Sequence, residues 1–194
     1  MISDFAVPSA RPRLSTAWWG MAMFVAAEAT LFALMIGSYF YLRVKNLHWP
    51  PPGIPEPKLA VPLILLGVLL TTSAPMQLAY LAGRSGRLGS ARRFLLLALV
   101  VQAGYFAMQV HEYRDDLSQF TPQDHAYGSI YYTLLGAGHA HVAIGLLLNL
   151  WLLGKLARGL TRYRLNALQA ISFYWHAVNV ITIAVTLTTL SPAL

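Results

Sequence analysis

The sequence predicts an all-α, polytopic membrane helix bundle with five transmembrane helices, on three observations. Of 194 residues, 57% are apolar and 11% charged, against about 25% charged in soluble domains, and the mean hydropathy is +0.53. The apolar residues gather into five spans, 17–42, 59–83, 94–113, 127–154 and 168–190, each long enough for the roughly 20 residues a helix needs to cross a hydrocarbon core. The runs are too long and too uniformly apolar for the alternating strands of an outer-membrane barrel. A soluble enzyme is excluded, and with so little chain outside the spans a single transmembrane domain, 1–194, is expected.

Before the first span stand Asp4, Pro8, Arg11, Pro12 and Arg13. A signal peptide would have a shorter apolar region followed by a small-residue cleavage site, so the first span is expected to be retained. Between spans one and two, His48-Trp49-Pro50-Pro51-Pro52-Gly53-Ile54-Pro55-Glu56-Pro57 reads as a stiff, polyproline-like loop with Trp49 at headgroup level. Span three ends in Glu112 and Tyr113, read as an exposed carboxylate beside an interfacial tyrosine. Trp18, Trp19, Trp151, Tyr174 and Trp175 are expected in aromatic belts or facing lipid.

The basic residues set the topology. The N-terminus carries Arg11 and Arg13, the second loop Arg84, Arg87, Arg92 and Arg93, and the fourth Lys155, Arg158, Arg162 and Arg164; the other side holds Arg43, Lys45, Lys58 and Arg114. Ten against four places the N-terminus in the cytoplasm and the C-terminus outside. The net charge of +7 is thus a topology signal rather than a nucleic-acid surface. The cytoplasmic clusters are candidates to meet anionic lipid headgroups.

Ionisable and amide groups inside spans are costly enough to be functional candidates. Glu28, His141 and His176 lie close to the midpoints of spans one, four and five. At 1.5 Å per residue they fall within roughly 5 Å of one another in depth. A Glu28–His141 hydrogen bond would satisfy both groups. Its roles range from a polar clamp between helices, worth about 1 kcal/mol, through lipid or partner binding, to proton transfer. Small residues every four positions, Ala29, Ala33 and Gly37 on span one and Ala137 to Gly145 on span four, suggest that these two helices approach closely.

No metal site is expected. Cysteine is absent, which removes disulfides, thiolate metal sites, iron–sulfur clusters and covalently attached haem. His139 and His141 are two apart and point about 200° from each other around a helix, so they cannot share an ion. His48 and His125 fall in loops, and no pair of histidines a dozen residues apart recurs on two helices, as a two-haem cytochrome b would need.

Several segments in order resemble subunit III of the haem–copper oxidases, the cytochrome c and quinol oxidases. They are Trp19-Gly20-Met21-Ala22-Met23-Phe24 with Glu28-Ala29-Thr30-Leu31-Phe32, Trp49-Pro50-Pro51-Pro52-Gly53-Ile54, Glu112-Tyr113, Tyr127-Gly128-Ser129, His141-Val142 with Gly145, and Tyr174-Trp175-His176-Ala177-Val178-Asn179. The resemblance implies the five-helix form of that subunit, without the first two helices of the seven-helix version, in a bacterial cytoplasmic membrane. It implies a non-catalytic chain without redox metal, packed against subunit I with subunit II in the same complex and with haem and copper in those partners. It also implies bound phospholipid, support of proton uptake and protection against turnover inactivation. Carried over, Glu28 and His141 are the buried pair, with His176 and Asn179 as further polar residues of the last helix. Arg84, Arg87, Arg92, Arg93, Lys155 and Arg158 are lipid-phosphate candidates.

Three positions depart from the family pattern. Gly138 stands where the fourth helix commonly has a first histidine, with His139 beside it; Asn179 stands for an aspartate and Thr182 for a tryptophan. These departures raise one alternative, a subunit-III-like accessory protein of a nitric oxide reductase; a rival of another class is a free-standing transporter or membrane enzyme built around the Glu28 level. Against the transporter, the paired Gly and Pro interruptions that usually mark a midplane substrate site are not found in the spans.

Overall fold

A computed structural model describes residues 14–193; Asp4, Pro8, Arg11, Pro12 and Arg13 lie outside them. The helices are α1 (Thr16–Lys45), α2 (Ala60–Thr71), α3 (Ser73–Arg84), α4 (Leu88–Leu117), α5 (Ala126–Leu156) and α6 (Arg162–Leu190), followed by a short 3-10 turn. With α2 and α3 counted as one span, five helices are long and apolar enough to cross a membrane. Within lipid a helix satisfies its own backbone, which explains why such apolar sequences take this form.

α3, α4, α5 and α6 form a ring, each packed on the next, while α1 lies outside it against α5 and α6. α6 is the most enclosed helix, touching α1, α2, α3 and α5, and it buries both aromatic and hydroxyl side chains. Loops 46–59 and 118–125 and the turn after Leu190 gather at one end of the bundle, termed here the 46–59 end. Residues 85–87 and 157–161 lie at the other, the 84–87 end.

Several expectations are corrected. The second span is not one continuous helix but breaks at Thr72. Pro75 has no N–H to bond the carbonyl four residues back, and the chain makes a tighter turn there, with Thr72 N–H on the Leu69 carbonyl. Helix α4 begins six residues before 94 and α6 six before 168. Arg92, Arg93, Arg162 and Arg164 therefore sit in opening turns of helices rather than in loops. Charged side chains at a helix end reach back to the interface and need not end it, and Ala91 beside them is fully buried.

Tyr174 and Trp175 are not belt residues either; they are 2% and 0% exposed. Trp175 packs on Gly145, where a Cβ would stand 2.6 Å from the indole ring, and donates to Thr72 Oγ1 at 2.7 Å. The α5–α6 contact therefore uses the small residue on α5. By contrast Ala29, Ala33 and Gly37 are exposed, so the α1 stripe faces outward and does not make the α1–α5 contact.

At the 46–59 end, Trp49 stacks edge-on between Tyr39 and Tyr127, with centroids 5.4 and 5.0 Å away. The adjoining Gly128 leaves no room for a side chain against the Thr121 carbonyl, and Ser129 donates to the Pro122 carbonyl. These contacts seat both loops on the helix ends.

Candidate functional site: two polar assemblies on either side of α5

Glu28 and His141 do meet. Glu28 Oε2 lies 3.0 Å from His141 Nε2, and the two side chains are 22% and 13% exposed. His141 Nδ1 is 2.7 Å from the Ala137 carbonyl. A carbonyl only accepts, so Nδ1 carries a proton and Nε2 is left to face the carboxyl. One proton then lies between Nε2 and Oε2, held either as imidazolium and carboxylate or as imidazole and carboxylic acid. Phe32 stands edge-on to the ring at 5.1 Å. Tyr174 donates to the His141 carbonyl at 2.9 Å, so α6 braces the α5 side of the pair.

His176, at the same depth, does not join them. Its Nε2 is 3.4 Å from Gln77 Oε1 and 3.5 Å from Ser172 Oγ. Asn179, one turn on, donates to Ser73 Oγ at 2.6 Å. Together with Trp175 on Thr72 these contacts pin α6 to the break between α2 and α3. Residues 174–179 are thus a docking strip that reaches α5 with Tyr174 and the Trp175 ring and the second span with Trp175 Nε1, His176 and Asn179.

On the other face of α5, His139 Nε2 lies 3.2 Å from Gln109 Oε1, and Gln109 Nε2 donates to Tyr105 Oη at 2.8 Å. This is one rung of a polar ladder between α4 and α5. Toward the 46–59 end Tyr131 donates to Asp116 Oδ2 at 2.7 Å. In the other direction Asn149 Nδ2 donates to Gln102 Oε1 at 2.8 Å, and Arg92 donates twice to the Leu156 carbonyl, at 2.9 and 2.5 Å. The ladder escaped the sequence reading, which singled out His139 and Arg92 without their partners. Its signal is the seven-residue spacing of Gln102, Gln109 and Asp116 within an apolar helix, which returns each to the same face.

Two cavities adjoin this ladder. The larger, about 170 Å³, lies at the 46–59 end and is lined by Glu56, Lys58, Glu112, Asp116, Tyr131 and His139 among others. The smaller, about 20 Å³, shares Gln109, Leu135, His139 and Thr186 with it and reaches Tyr105 and Thr182. Glu112 is therefore a half-buried cavity residue rather than a fully exposed carboxylate, and Tyr113 stacks edge-on against His139 at 5.3 Å.

Of the basic candidates, Arg84, Arg87, Arg93 and Arg158 are exposed. Lys155 stands over the Trp151 ring at 5.5 Å. Arg92 is engaged by α5. The imidazoles of His139 and His141 are held on opposite faces of α5 and cannot converge on one haem or copper. Among the described residues one grouping, His111, Glu112 and Asp115, brings its ligand atoms within 4.8 Å of one another, and it lies largely exposed.

Comparison with known proteins places this arrangement. The family model for cytochrome c oxidase subunit III matches residues 13–190. The chain is similar to the probable cytochrome c oxidase subunit 3 of Mycobacterium tuberculosis, 31% identical over 170 residues that cover 85% of this chain and 82% of that protein. It is also similar to the cytochrome c oxidase subunit 3 of Bacillus subtilis, 28% identical over 167 residues covering 84% and 79%. A third relative is the cytochrome bo(3) ubiquinol oxidase subunit 3 of Pseudomonas aeruginosa, 28% identical over 169 residues covering 86% and 80%. With nearly its whole length matched, this five-span helical bundle belongs to the cytochrome c oxidase subunit III family.

Proposed function

We propose that the chain serves as the non-catalytic subunit III of a terminal haem–copper oxidase in a bacterial cytoplasmic membrane, acting as one transmembrane domain. The observation that carries this reading is the family match over residues 13–190. Relatives named for both cytochrome c and ubiquinol oxidation leave the electron donor to another subunit. The chain packs directly on subunit I, with subunit II in the same complex, and haem and copper reside in those partners. The donor set here does not fit either group, since the two span-four imidazoles diverge and each is bonded to a protein partner.

In this reading the 84–87 end faces the cytoplasm and the C-terminus lies outside, as the Lys and Arg distribution requires. Arg84, Arg87, Arg93 and Arg158 are exposed at that end and meet phospholipid phosphates, with Lys155 beside Trp151. Arg92 contributes least, because its guanidinium is committed to α5. The Glu28–His141 pair holds a single proton in a partly enclosed place and supports proton uptake and resistance to inactivation in the complex. His176 and Asn179 act at one remove, by fixing α6 on the second span.

Purification from native membranes tests the proposal. The chain is expected to copurify with a haem-containing partner and to show no turnover alone; isolation without such a partner, with activity of its own, overturns it. Glu28→Ala is expected to leave assembly intact while shortening the active lifetime of the oxidase or loosening bound lipid. Unchanged turnover, lifetime and lipid content would remove Glu28 from any such role.

A further inference from the structure

The cavity beside His139 is separate from the Glu28–His141 pair and plays no part in the function proposed above. We propose that it is a water-filled inlet open at the 46–59 end, and that His139 at its inner end binds a proton drawn from the medium on that side.

Size is the first argument. A water needs about 10–15 Å³ of such space and two to four polar partners. The outer cavity of about 170 Å³ therefore holds a file of several waters, and the inner one of about 20 Å³ holds one. Composition is the second. Polar side chains line both cavities: Asp116, Tyr131, Gln109 and His139 the outer one, and Gln109, His139, Tyr105 and Thr182 the inner. An apolar cavity of this size would stay dry; this one would not.

The third argument comes from the next rung of the ladder. Gln102 Nε2 and Asn149 Oδ1 have no protein partner, although both residues are 0% exposed. A bare amide donor and acceptor inside a membrane are costly to leave unpaired. Gln102 lies one turn beyond Tyr105 on the same face of α4, so water advancing past Tyr105 would satisfy both atoms.

The chemistry at His139 follows from its bonds. With Nε2–H donated to Gln109, the neutral ring presents Nδ1 as the atom that takes a proton, delivered by water and leaving an imidazolium. The groups around it decide whether that charge is tolerated. From α4 come the carboxyls of Glu112, Asp115 and Asp116 and the hydroxyls of Tyr105 and Tyr113. From α5 come Tyr127 and Tyr131, and from the segment before α2 come Glu56 and Lys58. α6 contributes threonines and apolar side chains here, with no charged group. Four carboxyls against one ammonium line the inlet.

The absence of cysteine makes the test direct. In membranes carrying the native complex, Leu135→Cys and Thr186→Cys place single thiols of this chain on the inlet wall, and Leu147→Cys, at a position 66% exposed on the outer surface of the bundle, serves as the control outside the inlet. A membrane-impermeant quaternary-ammonium thiosulfonate should modify the inlet thiols about tenfold faster than the control, because only a hydrated thiol ionises. It should do so only when supplied from the 46–59 side. Rates equal to the control, or reaction from the other side, overturn the inlet. ¹⁵N spectra of the imidazoles in the wild-type complex, with His139→Gln to identify the signal, should show the ring becoming imidazolium as the medium on that side is acidified. A His139 ring that stays neutral down to about pH 4, well below an ordinary histidine, overturns the proton site.

Discussion

Two histidines two residues apart on α5 meet opposite surroundings. His141 faces α1, where Glu28 closes its hydrogen bonding with one proton shared between two atoms. His139 faces α4, where Gln109 satisfies one ring nitrogen and a polar cavity runs to the end of the bundle. The first is a paired site at the edge of the ring of helices; the second is one rung of a ladder with room beside it. Depth in the membrane is nearly the same for both, so direction around the helix decides which chemistry each can do.

The largest expected effect breaks both sites together. Gly145→Leu drives a side chain into Trp175, whose ring already lies 2.6 Å from the added Cβ position. Neither the backbone of α5 nor the buried indole can yield easily, and overpacking of this kind costs about 1–3 kcal/mol or more. Thermal unfolding of the complex should show a clear loss, with the Glu28–His141 and His139–Gln109 signatures both disturbed. Gly138→Ala, with nothing within 4 Å, should be close to neutral; comparable losses in the two variants would show that the α5–α6 contact is not what positions the histidines.

Intermediate effects separate the sites. Glu28→Leu leaves His141 Nε2 without its partner and should cost about 1–3 kcal/mol, whereas Glu28→Gln keeps a hydrogen bond and should cost less. His139→Phe keeps the edge-on contact with Tyr113 but gives up Gln109, at about 0.6–1 kcal/mol. Since the two histidines have no common side-chain partner, Glu28→Gln combined with His139→Phe should be additive within about 0.5 kcal/mol. Larger coupling would mean that α5 transmits one site to the other.

The smallest effect lies outside the membrane and calibrates the others. Asp124 Oδ2 accepts the Thr121 N–H at 2.6 Å, and this bond holds its carboxyl below the ordinary value of 3.8. A lowered folded-state pKa means that the bond's contribution is present above the unfolded value and is lost as the pH falls through the folded one. The small advantage of wild type over Asp124→Asn in thermal stability should therefore shrink on acidification below 3.8. An advantage independent of pH would show that the carboxylate charge is not what the loop uses.

Much of this molecule is legible in its sequence. Five apolar runs make five spans, because runs this long and uniformly apolar satisfy their backbone in lipid as helices rather than as barrel strands. A rise of 1.5 Å per residue puts Glu28 level with His141, which permits the bond that the packing of α1 on α5 makes. The same reasoning put His176 at that level, where it turns instead to Gln77. It also placed Trp175 at an interface when the residue is the plug between Gly145 and Thr72, since amphipathic aromatics serve equally well in belts and in cores.

What the sequence determines by itself is a coordinate along the membrane normal: where each span lies and how deep each polar group sits, together with an uneven distribution of Lys and Arg between the two sets of loops. Which neighbour each helix face meets was decided only by the tertiary structure. The outward turn of Ala29 and Ala33, the break at Thr72 against Trp175, the α4–α5 ladder and the opposite surroundings of His139 and His141 all depend on it. Depth follows from counting residues along one helix, whereas direction around the axis acquires meaning only when a second helix is packed beside it.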